Sequence, residues 1–394
     1  MNAVSLRDAE LVLPRLREAD PDEDSLTLAA EAALVLLART GSRPHALVFA
    51  TTEPPYDAGG NVQPLAELLD LAGDLVAVEL TSTIRDGLTA IRVGAGLVSG
   101  GDVLVCASGR AGAVALLLGG DGGVARLVPL GSRVEELRDR WRLAGAPRGE
   151  QGDTSFVWNA GIEAAAVLVD GPAAVVSLDA KSAGRAERRR GGPGDALTRH
   201  LGAAHAPARL VLGLDEPLAV VVSAAGLAEA CRLEPGEGAA EVAARARAEA
   251  ARERPDVAVP AIDWHGITPY VSAQRSWRER GQDFRLEAAR CGSCGRLVFP
   301  QPARCPHCGS DDLSPEQLSR TGTVVTVTRD HAYPVSATTG MAVVDLDGGA
   351  RFYGQLVPSA DAAIGSRVTL VPRRLHLGGG AVQYFWKVTD ADRG

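Results

Sequence analysis

Along the N-terminal part of the chain, apolar positions alternate between a helical and an extended period. The stretch 23–42, DEDSLTLAAEAALVLLARTG, opens on acidic residues, carries apolar positions at helical spacing and stops at Gly41, which predicts a helix with a charge-matched start. HALVFATT then predicts a buried strand, PLAELLDLAG a helix, LVAVELTS a strand, and RDGLTAIRVGAGLVSGG a helix running into the strand DVLVCAS. Strands that are unbroken apolar runs, separated by helices, predict a parallel or mixed sheet covered by helices. No fixed-period repeat is visible.

The middle of the chain is less regular. FVWNAGIEAAAVLVDG and AAVVSLDA read as two adjoining strands, a short helix before them being an alternative, and the polar stretch 181–195, KSAGRAERRRGGPGD, reads as an exposed loop. ARLVLGLD and PLAVVVSAAGLAEAC restore an apolar core, and 238–255 predicts an alanine-rich helix ending at Pro255. The proline-spaced PDVAVPAID marks a domain boundary. An amphipathic connector follows over 263–290. After a cysteine cluster the pattern turns all-β, with about five strands and a hairpin turn at DGG, 347–349. That pattern suits a small barrel such as an OB-fold. The expected organisation is an α/β domain over 1–258, a helical connector over 259–287, a metal ribbon over 288–314 and an OB-fold domain over 315–394.

A hydrophobic share of 46% is that of a folded chain, and a net charge of −8 disfavours a nucleic-acid binder that relies on a broad basic surface. Arginine supplies nearly all the cations, the only lysines being Lys181 and Lys387. The N-terminus lacks the basic start and apolar core of a signal peptide, and no apolar run approaches the ~18–20 residues that span a bilayer, so a cytoplasmic protein with no membrane partner is expected.

In such a compartment, four clustered thiols point to metal rather than to disulfides. Cys291, Cys294, Cys305 and Cys308 form C-x2-C-x10-C-x2-C, with Gly295 and Gly309 directly after each pair. Two knuckles of this kind place four thiolates around one Zn²⁺, and a filled set leaves no open position, so the ion is expected to be structural. His307, between two ligands, is expected to face solvent. Cys106 in DVLVC and Cys231 in LAEACRL read as core thiols, having no base or helix start beside them. An alternative is an OB-type nucleic-acid module using Tyr353, Tyr384, Phe385 and Trp386 with Arg351, Arg373 and Arg374, but no dense basic stretch accompanies these aromatics.

RCGSCGRLVFPQPARCPHCGSDDLSPEQLSRTGTVVTVT, followed by RFYGQLVPSADAAIGSRVTLV, resembles the zinc-ribbon and OB-fold family that accompanies thiolases and 3-hydroxy-3-methylglutaryl-CoA synthases. The resemblance implies docking on a thiolase-fold partner and a share in an acyl-CoA pocket. The N-terminal part is similar to the synthases themselves: DEDSLTLAAEAA resembles their opening helix, and LVFATTEPPYD resembles the strand and loop of their acid/base glutamate, which puts Glu53 on that position. VELTSTIRDGLTAIRVGAGLVSGGDVLVCAS resembles the segment in which a helix-start cysteine attacks the acyl thioester, and here that place falls on Ile84.

Isoleucine forms no acyl-enzyme. The resemblance therefore leaves an enzyme acting on acyl-CoA or carrier-bound acyl thioesters without the cysteine, with Glu53 or Tyr56 moving protons in aldol-type chemistry and helix-start amides near 84–87 holding the thioester oxygen. It also leaves a non-catalytic scaffold that pairs with an active thiolase or synthase homologue. Arg85 and Asp86 read as cap and charge residues of that helix. His200 and His205, in RHLGAAH, read as exposed and uncatalytic, and LVLGLDEP as the strand that carries the family's histidine, without one. A homo-oligomer or a complex with a thiolase-fold partner is expected.

Overall fold

A computed structural model describes the chain except for residues 1–2, 18, 58, 72, 142–149, 257–258, 260–261, 263–270, 332–338, 379–380 and 392–394. Part of the expected connector, 263–270, lies outside the described residues. Two compact units result: one of residues 1–13, 32–62 and 73–253, the other of 14–31, 63–72 and 254–394. The helices α1 (Ser25–Thr40) and α2 (Val62–Leu68) contribute residues to both.

The first unit carries β1 (Val4–Val12), β2 (Ala46–Thr51), β3 (Val76–Leu80), α3 (Asp86–Leu97), β4 (Val103–Gly109), β5 (Gly112–Gly119) and β6 (Ala125–Val134). A short pair follows, β7 (Arg140–Trp141) and β8 (Glu150–Gln151), and then α4 (Thr154–Ala166), β9 (Ala174–Val176) and α5 (Ala180–Arg189). The unit ends with α6 (His205–Leu212), β10 (Leu218–Ala224), β11 (Leu227–Pro235) and α7 (Ala239–Ala251). A nine-stranded sheet runs β3-β2-β4-β5-β1-β6-β11-β10-β9. It is mixed: β2 is parallel to β3 and β4, β9 is parallel to β10, and the remaining ladders are antiparallel. The expected helix-covered α/β sheet is present.

The strand order contains a repeat that the sequence does not display. Reading outward from the central β1–β6 pair gives β1-β5-β4-β2-β3 in one direction and β6-β11-β10-β9 in the other. In each half the inner strand pairs with the second arm of a hairpin, whose first arm lies parallel to the next strand out. The second half is the same plan without a counterpart of β3. By this correspondence α3, which leads into β4, matches α6, which leads into β10. Helix α3 buries one face and α6 is buried all round, with Leu88, Ala90 and Ile91 of α3 and Ala206, Leu210 and Val211 of α6 in one cluster. The other face of the second half packs under α4 and α5 through Ile162, Ala165 and Ala183.

Three expectations in the middle fail. Residues 154–166 form a helix rather than a strand: Asp153 caps it by accepting from the Phe156 amide, and Val157, Gly161, Ile162 and Ala165 fall on one buried stripe. Residues 180–189 are a helix rather than a loop, capped by Asp179 on the Ser182 amide, with Glu187 turned inward. The run around ARLVLGLD is the helix α6 rather than a strand. Alanine- and valine-rich runs suit either a strand or a buried helix by periodicity alone; single aspartates cap α4 and α5, whereas α6 has no side-chain cap.

The second unit holds α8 (Ala273–Arg285), a three-stranded ribbon of β12 (Glu287–Cys291), β13 (Leu297–Val298) and β14 (Leu313–Gln317), and an all-β sheet. That sheet has β15 (Thr321–Asp330), β16 (Thr339–Leu346), β17 (Arg351–Gln355), β18 (Arg367–Gly378) and β19 (Ala381–Asp390) in the order β17-β16-β15-β18-β19. Every ladder is antiparallel, and a parallel bridge between Leu356 and Val388 joins its two ends. The expected turn at 347–349 connects β16 to β17.

Candidate functional site

Two local constellations carry chemistry. The first is the ribbon. Each knuckle is closed by a glycine in the left-handed region, Gly295 at φ 70° and Gly309 at φ 75°, whose amides donate to the carbonyls of Cys291 and Cys305 at 2.8 Å. Ser293 Oγ and Ser310 Oγ link the knuckles at 2.8 Å. The four sulfurs lie within 4.8 Å of one another, with Cys291 and Cys308 3.5 Å apart and Cys294 and Cys305 3.7 Å apart. Four sulfurs at about 2.3 Å from one Zn²⁺ sit about 3.8 Å apart at tetrahedral angles, so the donor set fits zinc. The His307 and Cys308 amides lower the Cys305 thiol to about 7, whereas Cys308, despite the Ser310 amide, is pushed up to about 12 by the Cys291 sulfur and its neighbours. Thiols this close do not all ionise unless a cation balances them. His307 faces solvent as expected, 3.3 Å from Arg296. Phe299, beyond the first knuckle, stacks on Phe352 at 5.8 Å, and Phe352 on Phe385 at 6.0 Å, which ties the ribbon to the sheet.

The second constellation is the junction of α3 and α6. Ile84, just before α3, is 4% exposed and belongs to the apolar cluster that also contains Val48, Ala50 and Ala107. Asp86 is buried and folds back onto the amides of Ser82 (2.6 Å) and Thr83 (2.9 Å), which precede the helix, while Arg85 at the cap position makes no side-chain cap hydrogen bond. The Arg85 amide donates to Thr83 Oγ1 at 3.3 Å and the Asp86 amide to the Thr83 carbonyl at 3.0 Å, so both are engaged within the turn. A Cβ on Gly87 would collide with the Ala203 carbonyl oxygen and lie 2.9 Å from Pro207 Cδ. The two helix starts therefore meet with no side chain between them.

His205 opens α6, at the place in the second half that Ile84 to Asp86 hold in the first. It is buried rather than exposed, a correction to the sequence reading. Its Nδ1 accepts from the Leu201 amide at 3.3 Å, which leaves Nε2 to donate to Asp195 Oδ2 at 2.9 Å. His200, half-buried, stacks flat on it at 4.3 Å, and its Nε2 has no hydrogen-bond partner. Burial, then the neighbouring His205, lowers His200 to about 4 and keeps it neutral at physiological pH. Burial pushes Asp195 up, but His205, the Leu197 amide and Arg209 together hold it below the usual carboxylate range. Nothing local in RHLGAAH signals this stack; the structural repeat, which sets a histidine at a helix start, does.

Glu53 lies in the loop after β2 and is exposed; its carboxylate accepts from the Arg110 amide at 2.5 Å. Tyr56, half-buried in the same loop, exchanges backbone hydrogen bonds with the Asn61 side chain at 2.9 and 3.0 Å. Gly202, beside His200, has no room for a Cβ against Thr52 Oγ1, and a Cβ on Gly109 would lie 2.7 Å from the Leu201 carbonyl oxygen, so the 201–202 turn lies between the Glu53 loop and the β4–β5 turn. Cys106 and Cys231 are both buried; burial raises both thiols, Cys231 to about 12.

A doubled α/β sheet and a four-thiolate zinc ribbon thus follow one another along the chain. Residues 278–314 match the family model described as ChsH2, rubredoxin-like zinc ribbon domain. A DUF35 domain-containing scaffold protein of Methanocaldococcus jannaschii is 34% identical over 122 residues, 29% of this chain and 86% of that protein. The chain belongs to the DUF35-domain family, through that share of its length. A hydroxymethylglutaryl-CoA synthase of Pyrobaculum arsenaticum is 30% identical over 152 residues, 34% of this chain and 44% of that enzyme, so the chain spans less than half of the synthase's length. Among solved structures, MvaS in complex with 3-hydroxy-3-methylglutaryl coenzyme A aligns over 68% of this chain and 95% of its own at 17% identity and a TM-score of 0.48.

Proposed function

We propose that the chain is a non-catalytic scaffold of the thiolase superfamily that pairs with a cysteine-bearing thiolase or synthase and helps to hold its acyl-CoA or acyl-carrier thioester. The observation that carries this reading is Ile84, an apolar side chain enclosed in core where the resemblance places the nucleophile. The surroundings support it: Thr83 takes up the Arg85 and Asp86 amides at the α3 start, and Ala203 and Pro207 cover Gly87. Neither remaining thiol outside the ribbon substitutes, since burial keeps Cys106 and Cys231 in the unreactive thiol form. The Methanocaldococcus jannaschii relative bears the description scaffold protein, which agrees with this role. The bridged five-stranded sheet supports reading the C-terminal part as a small barrel of the OB type.

One observation favours a second reading, aldol-type chemistry without a covalent intermediate: the exposed Glu53 carboxylate is oriented by the Arg110 amide, which suits a proton acceptor. Reconstitution separates the two. A cysteine-bearing thiolase-fold enzyme from the same genome, assayed with and without this chain, is expected to co-elute with it and gain activity; retro-aldol cleavage of 3-hydroxyacyl-CoA by this chain alone, abolished by Glu53→Gln, would overturn the scaffold reading.

A further inference from the structure

The segment before and within the start of α1 is unusually acidic, and the second unit seats it in a pocket of cations. Arg373 of β18 is fully buried and donates to Glu23 Oε1 at 2.9 Å and to Glu31 Oε2 at 3.0 Å, with Asp22 at 3.8 Å. Lys387 of β19, one of the chain's two lysines, is buried on Asp22 at 2.8 Å. Tyr384 donates to Asp24 at 2.9 Å, Ser359 to Asp20, and the Arg374 amide to the Asp22 carbonyl at 3.1 Å. Asp24 also caps α1 by accepting from the Thr27 amide at 2.8 Å.

The charges do not balance. Asp20, Asp22, Glu23, Asp24 and Glu31 face Arg373 and Lys387, with Arg374 3.9 Å from Asp24 and Arg320 acting on Glu31. Arg15, the next cation along the segment, is paired with Asp390 at 2.9 Å. Asp20 Oδ1 and Asp22 Oδ1 are buried without a hydrogen-bond donor. Arg15 also acts on Asp20, so with its partner Asp390 included six carboxylates among the described residues face five cations. The excess negative charge lies around Asp20, Asp22 and Glu23, all buried, where a charge is costly and a proton is the cheapest remedy.

We propose that Asp20–Glu31 is an acidic latch seated in a cationic socket of the C-terminal sheet, and that seating takes up a proton, so that the latch loosens as the medium turns alkaline. Glu23 is the site of uptake: its carboxyl accepts from the Asp20 amide at 2.9 Å on one oxygen and meets Arg373 on the other. Burial, aided by Glu31 and Asp20 and opposed by Arg373, lifts it from 4.5 to about 7. Asp20 and Asp24 are raised as well, burial being the main cause in each. A carboxyl raised on seating binds its proton more tightly in the seated state. Seating is therefore most stable below the ordinary glutamate range and weakens as pH climbs through 7.

Hydrogen exchange of the zinc-loaded full chain tests this. Protection of the amides in 14–31, corrected for intrinsic rates, is expected to fall about tenfold between pH 6 and pH 8, while amides of the nine-stranded sheet hold steady. Glu23→Gln keeps the latch but flattens that dependence, and Arg373→Met lowers protection at both pH values. Protection in the wild-type chain that does not change with pH, or a slope that survives in Glu23→Gln, would overturn the proposal.

Discussion

At the scale of single residues, the structure answers what isoleucine does where the resemblance calls for a nucleophile: it packs. Ile84 joins the apolar cluster, the Arg85 and Asp86 amides of the α3 start are engaged by Thr83, and Asp86 takes the Ser82 and Thr83 amides. Cys106 and Cys231 should stay silent toward a thiol reagent at pH 8 in the native zinc-loaded chain and react only after unfolding; rapid labelling of either in the native chain, read by peptide mapping, would contradict their burial. Arg209 and Glu187 form a pair in which each side chain is only 4% exposed, joined at 2.7 Å. Replacing Arg209 with methionine strands the Glu187 carboxylate and should cost about 3–5 kcal/mol of stability by denaturant unfolding. Gly87→Ala should also destabilise, since its methyl group has no room against the Ala203 carbonyl.

At the scale of elements, legibility followed the reach of each interaction. The zinc knuckles are local: two pairs of cysteines and two glycines fix the turn geometry within about twenty residues, and the spacing alone identified them. The helices α1, α3 and α7 were legible for the same reason, their apolar stripes and stop signals lying within one segment. Segments α4, α5 and α6 were not, because small apolar residues leave the period ambiguous and the deciding contacts, such as Glu187 with Arg209, lie 22 residues apart. Charge complementarity between 20–31 and β18–β19 spans more than 340 residues of sequence, so an acidic run there reads only as a helix start. The ribbon makes its own prediction. Cys305→Ser, or chelation of the wild-type chain, should drop zinc content from about one ion per chain and loosen the Phe299–Phe352–Phe385 stack, visible as lost near-ultraviolet dichroism; a metal-free chain with an unchanged aromatic signal would contradict a structural role.

At the scale of the whole molecule, the chain carries a doubled α/β sheet whose second half lacks one edge strand, followed by a zinc ribbon and a bridged β-sheet. The repeat was hidden in the sequence because the two halves share strand order and helix placement rather than residues. Once it is visible, Ile84 and His205 stand at equivalent helix starts, one apolar and enclosed, the other engaged by Asp195 and the Leu201 amide. None of the described helices is long and apolar enough to cross a membrane. The central claim is that this chain forms no acyl-enzyme, and it is tested most directly by incubating the purified zinc-loaded protein with acetyl-CoA and acetoacetyl-CoA, quenching in acid and measuring the intact mass together with released CoA. The account predicts an unmodified mass and no CoA release above a buffer control. An added acyl mass localised to any residue of the chain, with stoichiometric CoA release, would contradict it.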